Sequence, residues 1–106
     1  MPNELPIPDE AKRDIRAVEM VRGWIAEGDL FIVLNVGFWE QPERGIDERE
    51  AWGLFMSDMA RHIANAHNEK YASDVSGSLK IIRDAFVREI EKPTSSHSGK
   101  FATEGD

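Results

Sequence analysis

Four polar side chains follow one another at helical spacing in the middle of the chain: Asp58, His62, Asn65 and Glu69. Their spacing places them along one side of a helix. A carboxylate one turn before an imidazole can share a hydrogen bond with the ring and raise its basicity. With Glu69 the pair can hold a divalent metal or act as a general base. Such a row is also typical of the solvent-facing side of an amphipathic helix, and we favour that interpretation. Asp58, His62 and Glu69 remain the candidates for a catalytic or metal-binding site.

A second group consists of aromatic side chains, at Phe38, Trp39 and Trp52, with Trp24 earlier in the chain. Such rings can line a pocket for a small ligand, which makes the first three candidate ligand-binding residues. Tryptophan is also enriched in subunit interfaces and common in ordinary cores. Since no converging polar residues accompany the rings, we favour core or interface over a ligand pocket.

The composition excludes several classes of protein. The chain has 106 residues, which is the size of one domain, and it contains no cysteine, which excludes disulfides, thiolate catalysis and thiolate-bound zinc. Its net charge of −7, without any basic run, argues against binding to nucleic acid. No apolar run approaches the roughly 18 residues of a membrane span, and the start of the chain lacks a signal-peptide pattern. We therefore expect an acidic, cytoplasmic protein without membrane contact or cofactor.

Two long helices are predicted in the second half of the chain, and they carry most of these residues. Asp47 is the expected N-cap of a helix that runs to about residue 71, and Asp74 caps another over residues 75–91. Along the first of these helices a single apolar arc is formed by Trp52, Phe55, Met56, Met59, Ile63, Ala66 and the stem of Lys70. A flanking ridge of small residues would let another helix approach closely: Gly53, Ser57, Ala60 and Ala64.

The first half of the chain is predicted to contain one helix and one strand. Residues 10–27 form the helix, with Asp9 as its N-cap, because apolar residues recur at helical spacing: Ala11, Ile15, Val18, Val21 and Ile25. Residues 1–8 form a proline-rich arm before it. Residues 30–36 are the buried strand, since Leu30 and Ile32 lie on one face and Phe31 and Val33 on the other.

The strand at residues 30–36 lacks an evident partner in its own chain. Unpaired backbone groups in an apolar setting cost about 1–3 kcal/mol each. Within the chain the candidate partners are residues 5–7 and 100–103, which are poor ladder formers. We therefore favour antiparallel pairing with the same strand of a second copy, across a two-fold axis near Val33, and keep a local partner as the alternative. The expected interface residues are Phe31, Val33, Asn35 and Trp39.

The predicted fold is thus a helix-rich α+β domain of order α-β-α-α, with its strand paired across a subunit interface. Residues 1–92 are expected to form a single compact domain, and residues 93–106 a flexible tail.

Several short segments of the chain resemble one known family. These are Glu4-Leu5-Pro6-Ile7-Pro8 at the start, Ala51-Trp52-Gly53 and Asp58-Met59-Ala60-Arg61-His62-Ile63-Ala64 in the middle, and Lys92-Pro93-Thr94 after the last helix. In these segments the chain is similar to a family of short bacterial proteins, the domain of unknown function DUF5076. The resemblance covers nearly the whole chain and implies no particular activity or catalytic residues.

The functional prediction is a non-catalytic, homodimeric interaction or scaffold module that acts without a cofactor. Two other classes stay open. One is a small enzyme or metal-binding protein that uses Asp58, His62 and Glu69, and the other is a small-ligand binder lined by Trp39 and Trp52.

Overall fold

The computed structural model describes residues 3–94 and 100–103 and confirms a helix-rich α+β protein. It divides into two compact units. The sheet unit comprises Met1–Val36 with Gly99–Asp106, and the helical unit comprises Gly37–Ser98. The single compact domain expected over residues 1–92 stays a prediction. No helix in the described part of the chain is long and apolar enough to cross a membrane.

The sheet unit is built on a β-hairpin. Strands β1 (Val21–Ala26) and β2 (Asp29–Leu34) pair antiparallel, from Val21 opposite Leu34 to Ala26 opposite Asp29. The two turn residues, Glu27 and Gly28, have φ angles of 51° and 80°. Positive φ at both positions matches the right-handed twist of the flanking strands, and glycine adopts it without steric cost.

The helix predicted over residues 10–27 is wrong. Helix α1 covers Asp9–Arg13, with Pro8 and not Asp9 at the N-cap, and the chain then turns and enters β1. The apolar spacing of this segment fits a helix, but Val21, Trp24 and Ile25 also favour a strand, and Gly23 weakens a helix by about 1 kcal/mol. Pairing with β2 decides between the two structures.

The strand partner predicted from a second copy is also wrong. One edge of β2 pairs with β1, and the other pairs in parallel with β3 (Lys100–Thr103), so that the strand order is β1-β2-β3. The element order is therefore α-β-β-α-α-β. Residues 100–103, the alternative local partner, form β3 although they fall within the predicted flexible tail. Of the rest of that tail, residues 95–99 and 104–106 lie outside the described residues.

The helical unit has the two predicted long helices, and its cap residues are confirmed. Helix α2 covers Glu48–Tyr71 and α3 covers Val75–Glu91. The Asp47 carboxylate accepts a hydrogen bond of 2.9 Å from the N–H of Arg49, and the Asp74 carboxylate accepts one of 2.7 Å from the N–H of Gly77. Residues 72–74 form the turn after which α3 packs against α2.

The small-residue ridge of α2 is buried at Ala64 and open at Gly53. Within residues 3–94, Ala64 is the one hydrophobic residue that is fully buried. A Cβ added to Gly53 would meet nothing within 4 Å.

Candidate functional site

The polar row on α2 makes contacts with its own helix. The Asp58 carboxylate forms an ion pair of 2.7 Å with Arg61, and the side chains of both are exposed. Nδ1 of His62 lies 2.8 Å from the main-chain carbonyl oxygen of Asp58, and that oxygen can only accept a hydrogen bond from the ring. The predicted bond between the Asp58 carboxylate and the imidazole is therefore replaced by a main-chain contact.

These polar residues are not assembled into a metal site. Among residues 3–94 and 100–103, no three histidine, aspartate or glutamate side chains lie close enough together to hold a metal ion. Asp58, His62, Asn65 and Glu69 are all exposed on the surface of α2. The arrangement is that of a solvated helix face.

The aromatic residues of the helical unit, in contrast, come together. The Trp39 and Trp52 ring centroids are 5.1 Å apart with an interplanar angle of 66°. Phe55 completes the group at 5.8 Å from Trp39 and 5.5 Å from Trp52, and Phe38 lies 6.3 Å from Trp39. Edge-to-face contacts at these distances are typical of a packed core. The rings of Trp39 and Trp52 thus pack against each other, and the choice between core, interface and ligand pocket for them stays a prediction.

Sequence reasoning missed the buried carboxylate beside this cluster, that of Glu48. This side chain is 8% exposed, and Glu48 is the one buried polar residue within residues 3–94. Its oxygens accept hydrogen bonds of 2.7 and 2.9 Å from the Gly37 N–H and one of 3.1 Å from Nε1–H of Trp52. The Glu48 N–H in turn donates a hydrogen bond of 2.8 Å to the carboxylate of Glu40.

Two local features of the sequence explain why Glu48 occupies this position. It is the first residue of α2, where the helix dipole favours a negative charge. Trp52 is one turn further along the same helix, so the indole N–H can reach back to the carboxylate. An acidic residue at a helix start with tryptophan four residues later was the available signal. The Glu48 carboxylate thus holds Gly37 against the start of α2, and the Glu48 N–H holds the Glu40 side chain there.

A groove of about 290 Å³ lies on the sheet unit, lined by Glu19, Val21, Arg22, Val33 and Asn35. Arg22 forms ion pairs of 2.8 Å with Glu19 and 2.9 Å with Glu4. The hydrogen bond and charge of Glu19, and more weakly Glu4, raise the pKa of the guanidinium above its ordinary value. Two carboxylates thus already neutralise this cation, which makes the groove a poor site for a small anion.

The most extensive unusual surface is on α2. We call the residues Trp52, Phe55, Met56, Met59, Ile63 and Ala66 the α2 stripe; they lie within one arc of the helix. Trp52 and Phe55 are half-buried in the aromatic cluster. Met56, Met59 and Ile63 are 41%, 40% and 49% exposed. The arc predicted to be core is therefore covered at its aromatic end and open along its next two turns.

Comparisons with known proteins identify a family and one solved structure of similar fold. The model of the family described as "Domain of unknown function (DUF5076)" matches residues 4–94. A solved structure from the photosynthetic bacterium Rhodopseudomonas palustrus CGA009, described as "a putative pyruvate dehydrogenase", is similar with a TM-score of 0.67 and 27% sequence identity. The similarity covers 94% of this chain and 95% of that chain. No curated protein matches the chain.

Proposed function

Since the chain belongs to the DUF5076 family, whose function is unknown, we propose a function from its own surface: a non-catalytic, homodimeric interaction or scaffold module of the bacterial cytoplasm. One observation carries the proposal. Large apolar side chains stay exposed in both units, while Ala64 is the one buried hydrophobic residue within residues 3–94. Apolar surface of this extent on a folded protein is typical of an interaction site.

The helical unit contributes the α2 stripe. Fully burying a methionine or isoleucine side chain stabilises by about 1.5–3 kcal/mol, so covering the exposed parts of Met56, Met59 and Ile63 would contribute roughly 2–4 kcal/mol per copy. Association of two proteins costs about 4–15 kcal/mol. Two stripes together offset the lower part of this range, and a stable dimer needs further apolar contacts.

The sheet unit offers such contacts. Ile25 on β1 is 78% exposed, and Val33 on β2 is 42% exposed. Val33 is one of the interface residues expected from the sequence, with Phe31, Asn35 and Trp39. Strand pairing no longer supports that set, because both edges of β2 are paired within the chain. Apolar side-chain packing is the remaining reason to place Val33 in an interface.

The net charge supports an apolar rather than an ionic interface. Two copies that each carry −7 repel one another, and added salt screens that repulsion. An apolar interface therefore becomes no weaker as the salt concentration rises, whereas an interface held by ion pairs does.

The geometry favours neither catalysis nor ligand binding. Asp58 and His62 are engaged with their own helix, and the rings of Trp39 and Trp52 pack against each other. The Rhodopseudomonas protein is described as a putative pyruvate dehydrogenase, but Arg22, the cation that lines the groove of this chain, is already paired with Glu4 and Glu19. We therefore do not extend that activity to this chain.

Light scattering behind size exclusion at low micromolar concentration tests the proposal. We expect a particle of twice the chain mass of 12.0 kDa, and the same mass when the salt concentration is raised. A 12.0 kDa particle at every concentration would exclude the homodimer, and dissociation by salt would contradict an apolar interface.

A further inference from the structure

We propose that the homodimer forms by antiparallel pairing of β1 with β1 of a second copy, across a two-fold axis at Gly23. This inference rests on the proposed function and names the surface through which the copies join. Strand β2 has neighbours on both of its edges, whereas β1 is an outer strand of the sheet. Among the described residues, no backbone group bonds to the free edge of β1.

The hairpin register determines which backbone groups of β1 point away from β2. In an antiparallel pair, opposite residues alternate between those that exchange hydrogen bonds and those that do not. The N–H of Asn35 donates to the carbonyl oxygen of Met20 at 3.0 Å, one step beyond the pair of Val21 and Leu34. The even-numbered residues of β1 therefore bond to β2, and the odd-numbered ones direct their N–H and C=O groups to the free edge. These outward residues are Val21, Gly23 and Ile25.

Solvent reaches this edge of β1. Gly23 is exposed, and because glycine has no side chain, its exposed surface is backbone. Ile25 is 78% exposed. The strand also lacks proline, which protects many edge strands, and its one charged residue is Arg22. A glycine inside a strand is typical of a place where another backbone approaches closely, so the edge can accept a further strand.

A second copy of β1 fits this edge best in one register. With the two-fold axis at Gly23, all three outward residues of each copy are used, because Gly23 faces Gly23 and Val21 faces Ile25. Each of these pairs exchanges two hydrogen bonds. An axis one residue away in either direction keeps only two such pairs within Val21–Ala26.

The side chains that this register brings together are compatible. On one face of the joined sheet, Val21 lies opposite the exposed Ile25 of the other copy, which forms an apolar pair on each side of the axis. On the other face, Arg22 lies opposite Trp24 of the other copy, and a guanidinium is attracted to the face of an indole ring. An axis at residue 22 would instead set the two arginines opposite each other, which is unfavourable.

The acidic residues near β1 do not oppose this arrangement. Arg22 keeps its ion pairs with Glu4 and Glu19, because guanidinium N–H groups point along its plane and leave its flat faces free. Just outside the paired residues, Glu19 comes level with Glu27 of the other copy. Since Glu19 is already paired with Arg22 and salt screens the remaining repulsion, the pairing becomes no weaker as the salt concentration rises.

Amide hydrogen exchange tests the pairing, and β1 supplies its own control. The N–H groups of its even-numbered residues bond to β2 in either state, so they should be protected in monomer and dimer alike. Those of the outward residues should be protected in the dimer only. Their exchange should slow as the protein concentration, and with it the fraction of dimer, is raised.

Disulfide trapping tests the register, because the full chain contains no cysteine. Gly23→Cys sets two cysteines opposite each other at a Cα spacing of about 5.5 Å, which a disulfide spans, and its Cβ would meet nothing within 4 Å. It should form a linked dimer under mild oxidation. Ile25→Cys, on the same face, should not, because its two copies would lie about 13 Å apart along the strands. A mixture of the Val21→Cys and Ile25→Cys proteins should be linked, although neither is linked alone.

A further set of variants uses mass as the readout. Gly23→Pro removes an outward N–H and leaves the bonds to β2 in place, so it should shift the protein to monomer at low micromolar concentration. Ile25→Lys places a charge on the pairing edge and should do the same. Ile81→Lys is the matched control in α3, since Ile81 is 71% exposed, and should leave the dimer intact. Circular dichroism equal to that of the wild type would confirm that each variant folds.

The possible results separate this inference from the proposed function. A wild-type dimer whose outward β1 amides exchange freely, or that survives Ile25→Lys, overturns the β1 pairing and leaves the homodimer standing. Linkage of Ile25→Cys by itself contradicts the register. A wild-type monomer at every concentration overturns both.

Discussion

At the scale of single residues, the position that most shapes the helical unit is Glu48. Its carboxylate joins the Gly37 N–H and the Trp52 indole, while its own N–H is bound by Glu40. Gly37 has a φ of 106°, a conformation that glycine alone adopts readily. The contacts of Glu48 therefore hold an irregular segment in place next to the aromatic cluster.

Replacing Glu48 by alanine should destabilise the protein by about 2–4 kcal/mol, because two N–H donors lose a charged acceptor and have no other described partner. Urea unfolding followed by tryptophan fluorescence measures this change. Glu50→Ala is the control, since Glu50 is exposed in the same helical turn. Equal losses in the two variants would show that the Glu48 contacts contribute nothing beyond the helix-end charge.

The polar row shows how far residue types alone can lead. Asp58 and His62 have the right spacing for a shared hydrogen bond, but a helix also offers each of them an i,i+3 or i,i+4 partner of its own. Spacing along a helix cannot distinguish between these partners. Residues distant in sequence would have to supply the remaining ligands of a metal site.

At the scale of elements, the caps made the long helices predictable. Asp47 and Asp74 accept from the N–H groups of the first turns, and α2 and α3 start and end where the sequence patterns indicated. Residues 10–27 have no side-chain cap that fixes the start of a helix. Their apolar spacing suits a helix, but a glycine in the middle and a Glu27-Gly28 turn at the end suit a hairpin.

Gly53, an exposed residue of α2, provides a test of what limits the stability of that helix. Gly53→Ala should stabilise the protein by about 0.5–1 kcal/mol, because glycine lowers helix stability and an added Cβ meets nothing within 4 Å. The midpoint of urea unfolding measures the gain.

The control is Gly77→Ala in α3, where the added Cβ would come within 3.1 Å of the Asp74 carboxylate that caps the helix. We expect a smaller gain there or a loss. If Gly77→Ala stabilised the protein more than Gly53→Ala, the packing described around these two glycines would be contradicted.

At the scale of the whole molecule, the main feature is apolar surface that neither unit buries. Ile15 is 99% exposed, and Ile25 and Leu54 are largely exposed as well. A chain of 106 residues is long enough to form a core, and the association that we propose would cover part of this exposed surface.

The melting temperature should therefore rise with protein concentration, because dimerisation stabilises the folded state by mass action. Thermal unfolding at several concentrations over a hundredfold range measures this dependence. A concentration-independent transition in the wild type would contradict the dimer.

The sequence by itself determined the family and the helix-rich α+β class, and the contacts close along the chain determined the bounds and caps of α2 and α3. The tertiary structure decided what depends on residues far apart. Pairing with β2 turned the end of a predicted helix into β1, and β1 and β3 together provided the partners of β2 within the same chain. The burial of Glu48 likewise depends on Gly37, eleven residues away in a loop. Periodicity and capping describe local preferences, and a strand partner or a buried hydrogen bond can override them because each is formed only when distant segments meet.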